Sequence, residues 1–148
     1  MGNTMTKNNV HFSSKSQEWE TPQDLFDELS KEFNFRFDVC ATKENAKCEL
    51  FWTKEEDALK RRWLIFGGWF WMNPPYGREI AKFIEKADSE TRNNKAAIVA
   101  LLPARTDTKW FHDHIYGKHE VRFLKGRLKF SNSKNSAPFP SMIVIFKS

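Results

Sequence analysis

Apolar residues recur along this chain with two periods, and the switches between them mark out its elements. Residues 1–17 are polar, rich in Asn, Ser, Thr and Lys, and read as a flexible arm ahead of a single domain over 18–148. "TPQD" opens a helix, with Thr21 as N-cap, Pro22 at the first helical position and Asp24 placed to reach back. Leu25, Phe26, Leu29 and Phe33 form its apolar stripe. "FRFDVCA" predicts a strand ending near Asp38, "CELFW" a second strand and "DALKRRW" a short helix. "WFWM", residues 69–72, is a strand buried on both faces. "REIAKFIEKADSE" is an amphipathic helix, with Ile80, Phe83, Ile84 and Ala87 on one side. "AAIVALL" is a continuous apolar strand stopped by Pro103, and "TDTKWFHDHI" a capped helix that places Trp110, Phe111 and Ile115 together. "EVRFL" and "RLKF" are strand-like around Lys125-Gly126, and "SMIVIFK" is the last strand.

Strands alternate with helices in the middle of the chain, and strands follow one another at its end. The order predicts an α/β fold with a mostly parallel sheet and an antiparallel C-terminal strand pair. No repeat and no interdomain linker interrupts it.

Composition narrows the picture modestly. The chain has 148 residues, with 14 Phe and 6 Trp among its 15% aromatics, which suits a folded core. A net charge of +5 permits a polyanionic partner without demanding one. Cys40 and Cys48 have no zinc spacing and read as free thiols of a reducing cytoplasm. In "HDH" the two histidines stand at i and i+2, which point apart on a helix, so no metal site is expected. No apolar run is long enough for a membrane span.

The chemistry concentrates in "FWMNPPYGR". Prolines directly after a buried strand cannot continue a ladder, so the chain leaves the sheet as a rigid corner. The carboxyl edge of a parallel sheet is the expected ligand crevice. There the Asn73 side-chain oxygen and the Pro74 carbonyl are two acceptors fixed in place, a match for the two donors of one –NH₂ group. Tyr76 supplies an aromatic face on which a flat base can stack, worth roughly 1–3 kcal/mol. Drawing on an amine's hydrogens restores its lone pair as a nucleophile, with no metal and no strong base. The plainer alternative is that Asn-Pro-Pro-Tyr is an ordinary turn; the strand before it and the glycine and helix after it favour the chemical reading.

Seven stretches in order resemble the phage-type DNA N6-adenine methyltransferases, the Dam group. They are "EWETPQDLFD", "FDVCATKENAKC", "DALKRRW", "WMNPPYGR", "LLPARTDTKWFH", "RFLKGRLKF" and "APFPSMIVIF", which run through nearly the whole chain from about residue 17. The resemblance implies a Rossmann-like methyltransferase fold, S-adenosylmethionine as methyl donor and adenine in DNA as acceptor. It assigns the catalytic role to Asn73, Pro74, Pro75 and Tyr76. A phage-encoded member would act in the host cytoplasm.

One feature departs from methyltransferases at large: the first strand ends "DVCATKEN", with no glycine-rich loop. Ala41 is the small residue near that turn. Asp38 is the candidate to meet the cationic methionine end of the cofactor, and Asp57 to accept from its adenine amine. Thr21 and Pro22 resemble the segment that closes over the methionine moiety. Each has a structural alternative: Thr21 and Asp57 as helix caps, Asp38 as half of an ion pair. Between residues 118 and 134, Lys118, Arg122, Lys125, Arg127, Lys129 and Lys134 stand against one acid, Glu120, with Phe123 and Phe130 interleaved. Arg127 and Lys129 are candidate DNA contacts in that stretch, which is otherwise a solvated hairpin face. Arg78 and Arg105, at the sheet edge, are two further candidates. Two rival functions remain open on sequence: an amino-methyltransferase acting on RNA, cytosine N4 or a protein amide, and a nucleic-acid-binding module without catalysis.

Overall fold

Six strands form one mixed sheet in the order β2-β1-β3-β4-β6-β5 in the computed structural model, which describes residues 18–148. The arm expected over residues 1–17 lies outside the described residues. The strands are β1 (Phe35–Asp38), β2 (Leu50–Phe51), β3 (Trp69–Met72), β4 (Ile98–Pro103), β5 (Glu120–Phe123) and β6 (Ser141–Phe146). The pairs β1/β2, β1/β3 and β3/β4 are parallel, and β6 runs antiparallel to both β4 and β5. The antiparallel C-terminal pair is therefore present, but β6 inserts between β4 and β5 instead of closing the edge. Its six residues are all buried, as are those of β4, which it meets in register from Ile98↔Phe146 to Pro103↔Ser141. A strand with apolar residues on both faces belongs in the middle of a covered sheet.

The helices are α1 (Gln23–Ser30), α2 (Ile80–Asn94) and α3 (Lys109–His114). In α2 the predicted stripe of Ile80, Phe83, Ile84 and Ala87 is buried. The same helix buries three polar residues, each with partners. Thr91 donates to the Ala96 carbonyl at 2.8 Å. Glu90 accepts from the Trp63 backbone at 2.7 Å and from Lys86 at 2.9 Å. Asp88 accepts from His114 and His119, each at 2.9 Å, with Arg92 at 3.6 Å. Burial raises the Asp88 carboxyl, but the histidine bonds and the Arg92 charge outweigh it, so the net direction is down. His112 turns away to the Thr106 carbonyl at 2.8 Å, so the histidines of "HDH" do point apart.

Three local expectations are corrected. Helix α1 begins at Gln23, and Pro22, in an extended conformation, is the cap residue. Thr21 does not cap the helix, because the cap position falls one residue later at Pro22; its hydroxyl accepts from Asn73 instead, and Asp24 bonds only to the Leu25 N–H beside it. "DALKRRW" makes a single 3-10 turn, Ala58–Lys60. It goes no further because Trp63 is drawn fully into the core, with its backbone held by Glu90 and its indole N–H by the Ala58 carbonyl. "RLKF" is not a strand: Leu128 makes a single backbone bond with Ala137, and Phe130 turns inward to 1% exposure.

Candidate active site

Strand order makes the site. The chain goes outward from β1 to β2, then crosses back over β1 to β3, so the order in which strands are added reverses between the parallel neighbours β1 and β3. Loops leaving the carboxyl ends of those two strands must part, and ligands bind in the resulting crevice. A cleft of about 1260 Å³ opens there. Asp38, Ala41, Asp57, Asn73, Pro74, Pro75, Tyr76 and Arg78 line it, and the segment Glu18–Thr21 forms one wall. The structure thus gathers most of the residues singled out in the sequence. Pro22 is buried but does not line the cleft, and Arg105, Arg127 and Lys129 lie outside it.

Asn73, just past β3, is held by its amide nitrogen. Nδ2 donates to the Trp19 carbonyl and, at 3.0 Å, to the Thr21 hydroxyl. A carbonyl can only accept, so the amide is oriented with its nitrogen toward Trp19. That leaves Oδ1 shielded from water and without a partner among the described residues. An unpaired buried acceptor costs roughly 1–3 kcal/mol, so its persistence here calls for an explanation. Tyr76 is 2% exposed; its hydroxyl donates to the Leu101 carbonyl at 3.1 Å, and its ring meets Phe139 and Phe130 edge-on. The tyrosine is therefore a fixed post in the cleft wall, and no open face for stacking is exposed.

Asp38, at the tip of β1, is 3% exposed. Burial raises its carboxyl to about 6, against the opposing pull of backbone N–H groups from Lys47 and Cys40. Those two bonds, at 3.0 and 3.2 Å, close the loop that lacks glycine. Thr42 and Asn45 lock its tip by reciprocal bonds of 2.7 and 3.1 Å. Nearby, burial pushes the Cys48 thiol up to about 12, and both cysteines are free. Asp57 adopts a left-handed conformation, φ 56°, while its Oδ1 accepts from the Leu59 N–H at 3.1 Å. It is a cap and also lines the cleft, so its two readings are compatible.

The basic stretch divides. Arg122 is bound to both oxygens of Glu32, each at 2.7 Å, and to Glu120 at 2.7 Å, while Lys118 donates to the Asp113 carbonyl. Lys125, Arg127, Lys129 and Lys134 are exposed and make no ion pair with the described residues. Arg105 is exposed in the loop after β4, 6.0 Å over the Phe139 ring. Sequence reasoning missed Ser131, Asn132 and Phe139, which meet Trp19, Glu20 and Thr21 from more than 100 residues away and so leave no local pattern.

Fold and site together define an α/β protein with a ligand cleft at its sheet's switch point and a lone amide acceptor on the cleft wall. Its family is particular. The family model described as DNA N-6-adenine-methyltransferase (Dam) matches residues 8–148, and the chain belongs to that family. The protein named DNA N-6-adenine-methyltransferase from Haemophilus phage HP1 (strain HP1c1) is 32% identical over 151 residues, covering 97% of this chain and 85% of its own length. The protein of the same name from Escherichia phage T1 is 32% identical over 111 residues, 74% of this chain and 45% of its own. The resemblance read from the seven stretches is thereby borne out.

Proposed function

We propose that this protein transfers a methyl group from S-adenosylmethionine to the N6 amine of adenine in DNA, through one Rossmann-like methyltransferase domain over 18–148. The observation that carries the chemistry is the unpaired Asn73 Oδ1. An incoming –NH₂ group satisfies it, and the Pro74 carbonyl takes the second hydrogen. With both hydrogens held, the amine's lone pair is withdrawn from the ring and aimed at the donor. The new bond forms from nitrogen to the methyl carbon, the sulfur keeps the electrons of the broken bond, and the amine's surplus proton passes to water.

The residues of the cleft suit the cofactor. Asp38 is a buried carboxylate raised to about 6, and a cationic ammonium beside it relieves the cost of its charge. Asp57 keeps Oδ1 on the Leu59 N–H, and Oδ2, whose only neighbouring cation among the described residues is the exposed Lys60 at 4.0 Å, is the oxygen for an adenine amine. When bound, S-adenosylmethionine supplies an electrophilic methyl on a sulfonium. DNA as the acceptor rests on the names of the relatives and on the exposed Arg78, Arg105, Arg127 and Lys129. An adenine in a duplex reaches the cleft only by swinging out of the stack, at a cost of about a few kcal/mol.

The test is labelled methyl transfer to duplex DNA, single-stranded DNA and RNA, with hydrolysis and mass analysis of the modified base. N6-methyladenine in DNA is the expected product. Label found only in RNA, in cytosine or on protein overturns the acceptor. Failure to bind S-adenosylmethionine by calorimetry overturns the enzyme.

A further inference from the structure

Asn73 is oriented by a segment that is itself held in place from the far end of the chain. Residues 18–21 run beside Ser131 and Asn132. The Asn132 side chain bridges two of their backbone groups, donating to the Glu18 carbonyl at 2.9 Å and accepting from the Glu20 N–H at 3.0 Å. The Ser131 backbone donates to the Glu20 carbonyl at 2.9 Å, and its hydroxyl to the Thr21 carbonyl at 3.0 Å. The Trp19 ring packs on Phe130 and Phe139, with centroids at 5.3 and 5.2 Å. The segment so fixed presents the Trp19 carbonyl and the Thr21 hydroxyl to Asn73 Nδ2.

We propose that Thr21 and Asn132 are positioning residues for the methyl-transfer step: Thr21 holds the Asn73 amide directly, and Asn132 splints the segment that carries Thr21. The inference rests on the functional reading above, because only a reaction at Asn73 Oδ1 makes that orientation matter. With both Nδ2 hydrogens engaged, the one remaining acceptor faces a single direction. Released from Thr21, the amide keeps only the Trp19 carbonyl and tilts about that single bond, so the approaching amine meets its acceptor in the wrong place. Asn132 does not line the cleft. It lies in the same irregular segment as the exposed Arg127, Lys129 and Lys134, so a phosphate bound there sits on the support of the catalytic amide.

The experiment compares wild type with Thr21→Val, Thr21→Ser and Asn132→Ala in steady-state methylation of duplex DNA, with S-adenosylmethionine affinity measured separately. Loss of one neutral hydrogen bond predicts a fall in kcat of roughly tenfold for Thr21→Val and Asn132→Ala, with KM for DNA unchanged in both and cofactor Kd unchanged in Asn132→Ala. Thr21→Ser, which returns an oxygen to that position, restores the rate lost in Thr21→Val. A Thr21→Val enzyme as fast as wild type overturns the proposal. So does a loss that appears in cofactor Kd instead of kcat. If Asn132→Ala does not fold, the Thr21 pair decides alone. If wild type transfers no methyl to adenine, the functional reading fails, an outcome separate from an active wild type with an equally active Thr21→Val.

Discussion

Asp38 Oδ2 accepts the backbone N–H of Lys47 across nine residues, at 3.0 Å, while Oδ1 accepts that of Cys40. One carboxylate thereby ties down the turn after β1 that a glycine-rich loop would otherwise form. Backbone donors are gathered by a side chain here, so no residue of the loop needs the freedom of glycine.

The Asp38 carboxyl is raised from 3.8 to about 6 by burial. Folded protein therefore holds a proton that the unfolded chain has released between those values, and stability should fall as pH rises through that window. Binding of a cationic ammonium should expel the proton. Affinity for S-adenosylmethionine should then weaken as pH drops below about 6, by up to tenfold per pH unit. Calorimetry from pH 5 to 8 checks this; a flat Kd removes Asp38 from the cofactor's cationic end.

Asn73→Ala should reduce turnover by at least about a hundredfold, as loss of a preorganised acceptor does elsewhere. Cofactor affinity and melting temperature should stay near wild type, because the lost side chain satisfies only Trp19 and Thr21 groups at the cleft wall. Near-normal turnover would make the corner a turn and nothing more.

Asp57 combines a cap, a left-handed backbone and a place in the cleft, and two substitutions separate these roles. Asp57→Ala should weaken cofactor binding and also cost about 1–2 kcal/mol of stability, from the lost cap and from losing the local side-chain hydrogen bond that lets Asp adopt a positive φ. Asp57→Asn tolerates that backbone and keeps an oxygen for the Leu59 N–H. It should largely preserve stability, losing only the long, exposed 4.0 Å contact with Lys60, yet weaken cofactor binding, because an amide donor replaces the Oδ2 acceptor. Equal cofactor affinity in Asp57→Asn and wild type would assign Asp57 to the fold alone.

Arg127 and Lys129 are exposed and unpaired among the described residues. If they meet phosphates, Arg127→Ala/Lys129→Ala should weaken DNA binding about equally on preferred and random duplexes. The log–log salt slope should flatten by roughly 0.9 for each phosphate no longer neutralised. Cofactor affinity should not change. Unchanged slopes and affinities would move the DNA surface toward Arg78 and Arg105.

Glu90 is 6% exposed and holds Trp63, Lys86 and Asn94 together. Glu90→Ala leaves a buried backbone N–H and a lysine without their partner and should cost about 3 kcal/mol. Chemical denaturation measures it; a loss below about 1 kcal/mol would mean that water replaces the carboxylate.

What the sequence determined by itself were the features set by nearby residues. The period of Ile80, Phe83, Ile84 and Ala87 made α2, the uninterrupted apolar runs made β4 and β6, and the prolines after Met72 made the corner. Asn73 was readable because its neighbours in the chain are also its structural context. Tertiary structure alone decided what those acceptors and cations face. Thr21 has the local form of a cap, yet a side chain 52 residues away claims its hydroxyl. Arg122 looks like a phosphate ligand within its basic stretch, yet Glu32, 90 residues away, neutralises it. Phe130 alternates with lysines as if exposed, yet it fills the space behind Trp19 and Tyr76. Hydrogen bonds and ion pairs are short-ranged in space and indifferent to separation along the chain. Periodicity therefore fixes which face is buried, while the partner of each polar group is set only when the sheet brings distant loops to one edge.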